Sequence, residues 1–436
     1  MVSYVLNLSM PIIFEMLIST FMIIFDTMMI GNFGGNKAVT AVGISSEIIF
    51  TLIDIFIAVG ITVGITALVA QSMGAKDLIN AEKYASEGVA IGSIISIIIF
   101  VVVFTFSKEI AIIAGAKGDI LETAACFQKF FSIAMLFNMI STQIKGVLRG
   151  YGNTFVPLKI CALVSIIKIL LDWMLIFGHV FPRLCIIGAA YASIISEGVG
   201  MLFLFKYIFI NSKVKLRIKY ILNFDREIIS RLLKIAIPST MEDAVFNFSR
   251  LLCTFMIMSR GSVSFAANQI ANTIENVSIM PGVAFGMATT TLVGISVGEK
   301  SLKKAHKYTE TCAIWSICIM SFFSFIFLFF STILVKFFIK EQEAEVILLA
   351  AACLFIGALE QPFIAISHCF AGALKGAGKA KSPFVVSFLT SIFIRVPLIY
   401  YFIYINKYPI TYVWWITVFQ WFVDGILMYI CYKKMV

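Results

Sequence analysis

The chain has 436 residues, 60% of them hydrophobic and only 13% charged, with a formal net charge of +10. Soluble domains carry about 25% charged residues, so composition excludes an ordinary water-soluble globule and points to a helical membrane protein that crosses the bilayer many times. The positive balance sits in short loops between apolar runs, which suits anionic lipid headgroups and gives no reason to invoke nucleic acid.

An apolar helix needs about 20 residues to cross the hydrocarbon core. On that measure twelve spans are predicted: 5–31, 44–70, 86–106, 123–146, 155–178, 186–210, 232–258, 265–296, 308–337, 345–372, 383–405 and 410–431. The first eleven residues, MVSYVLNLSMP, lack a basic region and a small-residue cleavage site, so the first span is expected to be retained. Asp26 lies near the far end of that span, ahead of a glycine-containing loop at 31–35.

Residues 68–84, LVAQSMGAKDLINAEKY, follow the second span and return 224 positions later as 292–308, LVGISVGEKSLKKAHKY, with nine of seventeen positions identical. LRGYGNTFVP after the fourth span matches LKGAGKAKSP after the tenth, and Pro11 and Glu15 match Pro238 and Glu242. The chain therefore reads as two copies of one six-span unit. An even number of spans separates the copies, so both insert the same way, with a cavity expected between them. The predicted fold class is an all-α polytopic membrane protein with twelve transmembrane helices in two six-helix lobes. Residues 1–210 form the first lobe, 211–231 a basic cytoplasmic linker and 232–436 the second lobe. Asp225 in the linker is placed to cap the helix that follows. Most of the 34 Lys and Arg fall on the side of that linker, so the positive-inside rule puts both termini in the cytoplasm.

Charge inside a span costs roughly 2.5–3.5 kcal/mol on insertion scales, so intramembrane ionisable residues usually pair, line water or carry an ion. In the fifth span, SIIKILLDWMLIFG, Lys168 and Asp172 stand four residues apart on one helix face. With Asp26 they form the candidate cation-coupling set, and a structural Lys168–Asp172 ion pair is the competing reading. Glu242, Asn247, Glu275 and Glu360 are the candidate substrate-cavity residues, with neutralisation among Asp243, Arg250, Glu275 and Arg395 as the alternative. Met- and aromatic-rich runs such as MIIFDTMM and VWWITVFQWF suit flat organic cations. Pro281, Gly282 and Gly286 suggest a bent or broken eighth span.

Nine cysteines, mostly inside apolar runs, show no metal-ligand spacing and read as buried hydrophobes. LKGAGK at 374–379 lacks the first Gly and the Ser/Thr of a phosphate loop. With no nucleophile–base constellation either, the chain is not expected to be an enzyme, and no cofactor is expected.

The first-span Asp with Gly31 and Gly34, LVAQSMGA, LRGYGNTFVP, ILLDWMLIFG, GAAYASIIS, IPSTMEDAVF, FAANQIANTI, LVGISVGE, LKGAGKAKSP and RVPL occur in one order and spacing. In these the chain resembles, over nearly its whole length, the multidrug and toxic compound extrusion (MATE) family of cation-coupled antiporters. The resemblance implies a V-shaped protein that exports amphipathic, often cationic compounds by alternating access in exchange for H+ or Na+. It places the N-lobe cation site at Asp26 and Asp172, with Na+ at Asp26 as the one metal ion to consider. The family commonly has Asn where this chain has Lys168, and that ammonium argues against Na+ and for a proton. Some members carry C-lobe carboxylates at positions aligning with Phe246 and Ile364; here Glu242 and Glu360 lie one turn away. The expected partners are small amphipathic substrates and membrane lipids, the expected location the plasma membrane, and the expected functional unit a monomer. The alternative is a flippase for lipid-linked oligosaccharide or peptidoglycan precursors, which needs a basic cavity and would draw on Lys168, Arg250 and Arg395.

Overall fold

The computed structural model describes residues 1–26, 29, 58–113, 118–177, 185–339 and 343–434, and over these the chain is helical with no strand. The first half contributes α1 (Val2–Asp26), α2 (Ala58–Gly74), α3 (Leu78–Thr105), α4 (Ser107–Ile113), α5 (Asp119–Gly150), α6 (Phe155–Phe177) and α7 (Cys185–Ile210). After the short α8 (Ile218–Leu222) come α9 (Arg226–Met258), α10 (Ser262–Gly298), α11 (Leu302–Lys336), α12 (Ala344–Gly357), α13 (Gln361–Gly376), α14 (Lys381–Ile405) and α15 (Thr411–Lys433). Eight described helices are long and apolar enough to span a membrane. The α12–α13 pair, bent by 49°, makes one further broken span. Over their described residues all twelve predicted spans fall on helices, the first described to residue 26 and at 29, the second from residue 58 and the fifth to residue 177. Large apolar side chains such as Leu202, Phe329, Phe393 and Trp415 stand exposed, as a lipid-facing surface requires. The chain is thus an all-helical, multi-pass membrane protein.

The duplication is visible in backbone detail. Each 17-residue copy folds as helix end, tight turn and helix start. Lys76 and its counterpart Lys300 both adopt the left-handed conformation, at φ 58° and 57°. The turns close with the same long-range bond, Asp77 N to Ser72 O and Ser301 N to Ser296 O, each 2.9 Å. Asp77 then caps α3 by accepting from Asn80 N at 3.0 Å. A second matched turn ends α5 and α13, where Gly152 and Gly378 take φ 88° and 80°. Asn153 N bonds Leu148 O at 2.9 Å in the first, and Lys379 N bonds Leu374 O at 2.8 Å in the second.

Packing repeats as well: α5 packs on α2 and α3, as α13 does on α10 and α11. Thr66 Oγ1 donates to Gly146 O at 3.0 Å, and its counterpart Thr290 Oγ1 donates to Gly372 O at 3.0 Å. The glycines permit this approach, because a Cβ on Gly376 would collide with Thr290 O. Pro281 and Gly282 lie within a continuous α10, and Gly286 serves to bring that helix against the His368 backbone. The break expected there occurs between α12 and α13 instead.

The chain divides into two compact units, one of residues 14–240 and one of residues 1–13 with 241–436. Both boundaries fall inside helices, shortly after Pro11 in α1 and Pro238 in α9. Within the first unit the polar segment after α7 docks on the start of α3: Arg217 pairs with Glu82 at 2.9 Å, its amide bonds Ser86 Oγ at 2.9 Å, and Asp225 N bonds Glu87 at 3.0 Å. Asp225 caps α9, accepting from Glu227 N at 2.9 Å.

Candidate functional site

In the unit of residues 14–240, α6 carries Lys168 and Asp172 one turn apart, and α1 brings Asp26 to the same point. Lys168 Nζ lies 2.8 Å from Asp172 Oδ2 and 3.2 Å from Asp26 Oδ1. Lys168 and Asp172 are buried, while the Asp26 side chain keeps 21% exposure. Two carboxylates against one ammonium leave a single negative charge in excess. Asp172 Oδ1 is buried and has no hydrogen-bond partner among the described residues. The loop at 31–35, with Gly31 and Gly34, lies outside the described residues.

The matched glutamates turn out to be matched ion pairs. Glu15 on α1 receives Arg149 of α5 at 2.8 Å and Lys145 at 3.2 Å. Its counterpart Glu242 on α9 receives Lys375 of α13 at 3.0 Å, and Lys375 stands at the repeat position of Arg149. Sequence reading missed these partners, since Lys145, Arg149 and Lys375 sit near the ends of spans and look like loop charge. The signal was nevertheless there: an acid and a base recur together at equivalent places in both copies.

The unit of residues 241–436 buries a second acidic group. Glu360, fully buried, occupies the bend between α12 and α13, beside Glu275 of α10. Gln361 Nε2 donates to Glu275 Oε1 at 3.4 Å. Arg395 supplies the positive field at both carboxylates and lies over the Phe246 ring at 5.6 Å. It does so from a π-helical stretch of α14, Leu389–Arg395, a distortion that re-aims side chains. Asn247 is half-buried on α9 and Arg250 is exposed. The candidate cavity residues therefore separate into an ion-paired Glu242, a half-buried Asn247 and a joined Glu275–Glu360 pair. Asp424, also buried, was not singled out from the sequence.

A duplicated helical membrane protein with buried, partly uncompensated carboxylates in both halves has the architecture of a membrane transporter. The MatE family model matches residues 11–174 and again residues 238–401, so the chain belongs to the MatE family. The Bacillus subtilis protein named "Uncharacterized transporter YisQ" is 24% identical over 424 residues, covering 97% of this chain and 92% of that protein. The Thermotoga maritima "Probable multidrug resistance protein NorM" is 25% identical over 394 residues, covering 90% and 84%. Among solved structures, one described as the outward-facing conformation of a multidrug resistance MATE family transporter superposes with a TM-score of 0.93 at 19% identity, covering 100% of this chain and 95% of that one. A MOP superfamily transporter from Pyrococcus furiosus gives 0.92 at 20% identity, covering 100% and 95%. At such identity these structures speak for the fold alone.

Proposed function

We propose that this chain is a secondary antiporter of the plasma membrane, with both termini in the cytoplasm, exporting amphipathic and often cationic compounds by alternating access in exchange for protons. The observation that carries this reading is the Asp26–Lys168–Asp172 group, with its one uncompensated negative charge inside the span region. A proton needs one carboxylate oxygen, and Asp172 Oδ1 offers one without a competing partner among the described residues. Sodium needs several oxygens at once and would have to displace the Lys168 ammonium from both acids. Coupling requires that proton and substrate favour different states of the carrier, since equal affinity for both would shift nothing. The names of the relatives, multidrug resistance and multidrug export among them, support the substrate class.

A flippase of pyrophosphate-linked lipids is less well supported. Lys168 is taken up by two carboxylates, and Arg395 serves Glu275 and Glu360. Ethidium efflux from proteoliposomes under an imposed proton or sodium gradient tests the proposal. Asp26→Asn is expected to reduce proton-driven efflux to the level of empty vesicles while the protein stays folded. Retained coupled efflux would remove Asp26 from the mechanism, and efflux driven only by sodium would overturn proton coupling.

A further inference from the structure

Asp424 on α15 is 3% exposed and lies in no part of the site described above. It accepts from Ser367 Oγ of α13 at Oδ1, 2.5 Å, and its Oδ2 lies 2.8 Å from Thr390 Oγ1 in the π-helical stretch of α14. No Lys, Arg or His forms an ion pair with it among the described residues.

The repeat explains what is missing. Asp424–Gly425 stands where the first half has Glu197–Gly198. Glu197 accepts from Asn138 at 3.1 Å and lies in the field of Lys145. In the first half Glu15 and Glu197 are thus balanced by Arg149 and Lys145. In the second, Lys375 pairs with Glu242, and the residue equivalent to Lys145 is Ala371, so Asp424 has no counterpart to the Lys145 charge. One positive charge has been deleted from a buried group, and an uncompensated charge there is costly.

Hydrogen counting points the same way. Thr390 has one hydroxyl hydrogen and three acceptors in reach: Asp424 Oδ2 at 2.8 Å, Val386 O at 3.0 Å and Ser387 O at 3.3 Å. If that hydrogen goes to Val386 O, as helical threonines commonly arrange, the 2.8 Å contact needs a hydrogen from Asp424. If Asp424 is ionised, rotation of the hydroxyl turns the same contact into a bond donated by Thr390. Both protonation states are therefore hydrogen-bonded, and exchange between them needs only a rotor.

We infer that Asp424, with Ser367 and Thr390, is a loadable proton-binding site of the second half, separate from Asp26, Lys168 and Asp172. The charged group that acts on it is Glu242, already engaged by Lys375, on which Asp243 also acts. His368 adjoins Ser367 and packs on Trp421 at 5.9 Å, one turn before Asp424. Arg395 belongs to the Glu275–Glu360 group at the other end of the π-helical stretch, and Glu345 is the acidic residue in the first turn of α12. This inference does not depend on drug export or on the first cation site.

Infrared difference spectroscopy of the lipid-reconstituted full chain across a pH titration tests it, run in an Asp26→Asn/Asp172→Asn background so that the first site is silent. A protonated-carboxyl C=O band that disappears on raising the pH is expected, and Asp424→Asn should lack it. Ser367→Ala should keep the band but move it to higher wavenumber, because the C=O loses its hydrogen bond; this variant decides the matter if Asp424→Asn does not fold. An unchanged difference spectrum in Asp424→Asn, or no band shift in Ser367→Ala, overturns the assignment. A band that persists at every pH makes Asp424 a fixed structural acid and overturns the loadable site.

Discussion

Lys168 decides the character of the first-half site. It hydrogen-bonds Asp172, stands at ion-pair distance from Asp26 and leaves one negative charge over. Replacing it by Asn frees both carboxylates, so Lys168→Asn is expected to make efflux respond to a sodium gradient; an unchanged response to sodium would count against the role given to the ammonium. Glu242 and Lys375 are each only 13% exposed at the side chain. Removing one partner of a buried pair strands the other, so Glu242→Gln should cost about 3 kcal/mol, read as a drop in melting temperature. Glu227→Gln, which breaks the exposed Arg231 pair, should cost under about 1 kcal/mol. Equal losses at the two sites would show that Glu242 is not buried with its partner. The Lys168–Asp172 contact was legible from the sequence because four residues is one helical turn. Asp26 was grouped with them from the sequence through its place in a span and the family resemblance, but its 3.2 Å contact with Lys168, 142 positions away, came only from the structure. Asp424 escaped notice because a lone acid near the middle of the last span has no local partner, and its meaning depends on Ala371 standing where the other half has Lys145.

At the level of elements, the two copied turns and the threonine–glycine bonds fix how α2 meets α5 and α10 meets α13. Backbone crowds these contacts, and Gly372→Ala would press a methyl group into Gly286 O. Overpacking of this kind should cost about 2 kcal/mol or more. Gly198→Ala meets only the Phe137 ring at 3.4 Å and should be tolerated. Melting temperatures of the two variants check the contrast, and equal values would refute it. The helices were predictable from apolar run length. The bend at Glu360 and the π-helical stretch were not, because backbone distortions of this sort are set by what packs against the helix.

For the whole molecule, the sequence suggests a boundary at the 211–231 linker, whereas the contacts divide the chain at residues 13 and 240. Residues 226–240 of α9 belong with the first unit, where Leu232 and Ala236 pack against Gly64 and Gly60. A half-chain of residues 1–240 should therefore be more stable and monodisperse in detergent than one of residues 1–222; the reverse order would contradict the contact boundary. The sequence by itself determined the membrane class, the helical spans and the duplication, since each rests on local composition or on comparing the chain with itself, and its ordered motifs carried the family resemblance. Tertiary structure decided which charges meet across helices. Electrostatic balance depends on distances between helices far apart in sequence, and those put Asp26 on Lys168, Lys375 on Glu242 and, among the described residues, no cation in an ion pair with Asp424.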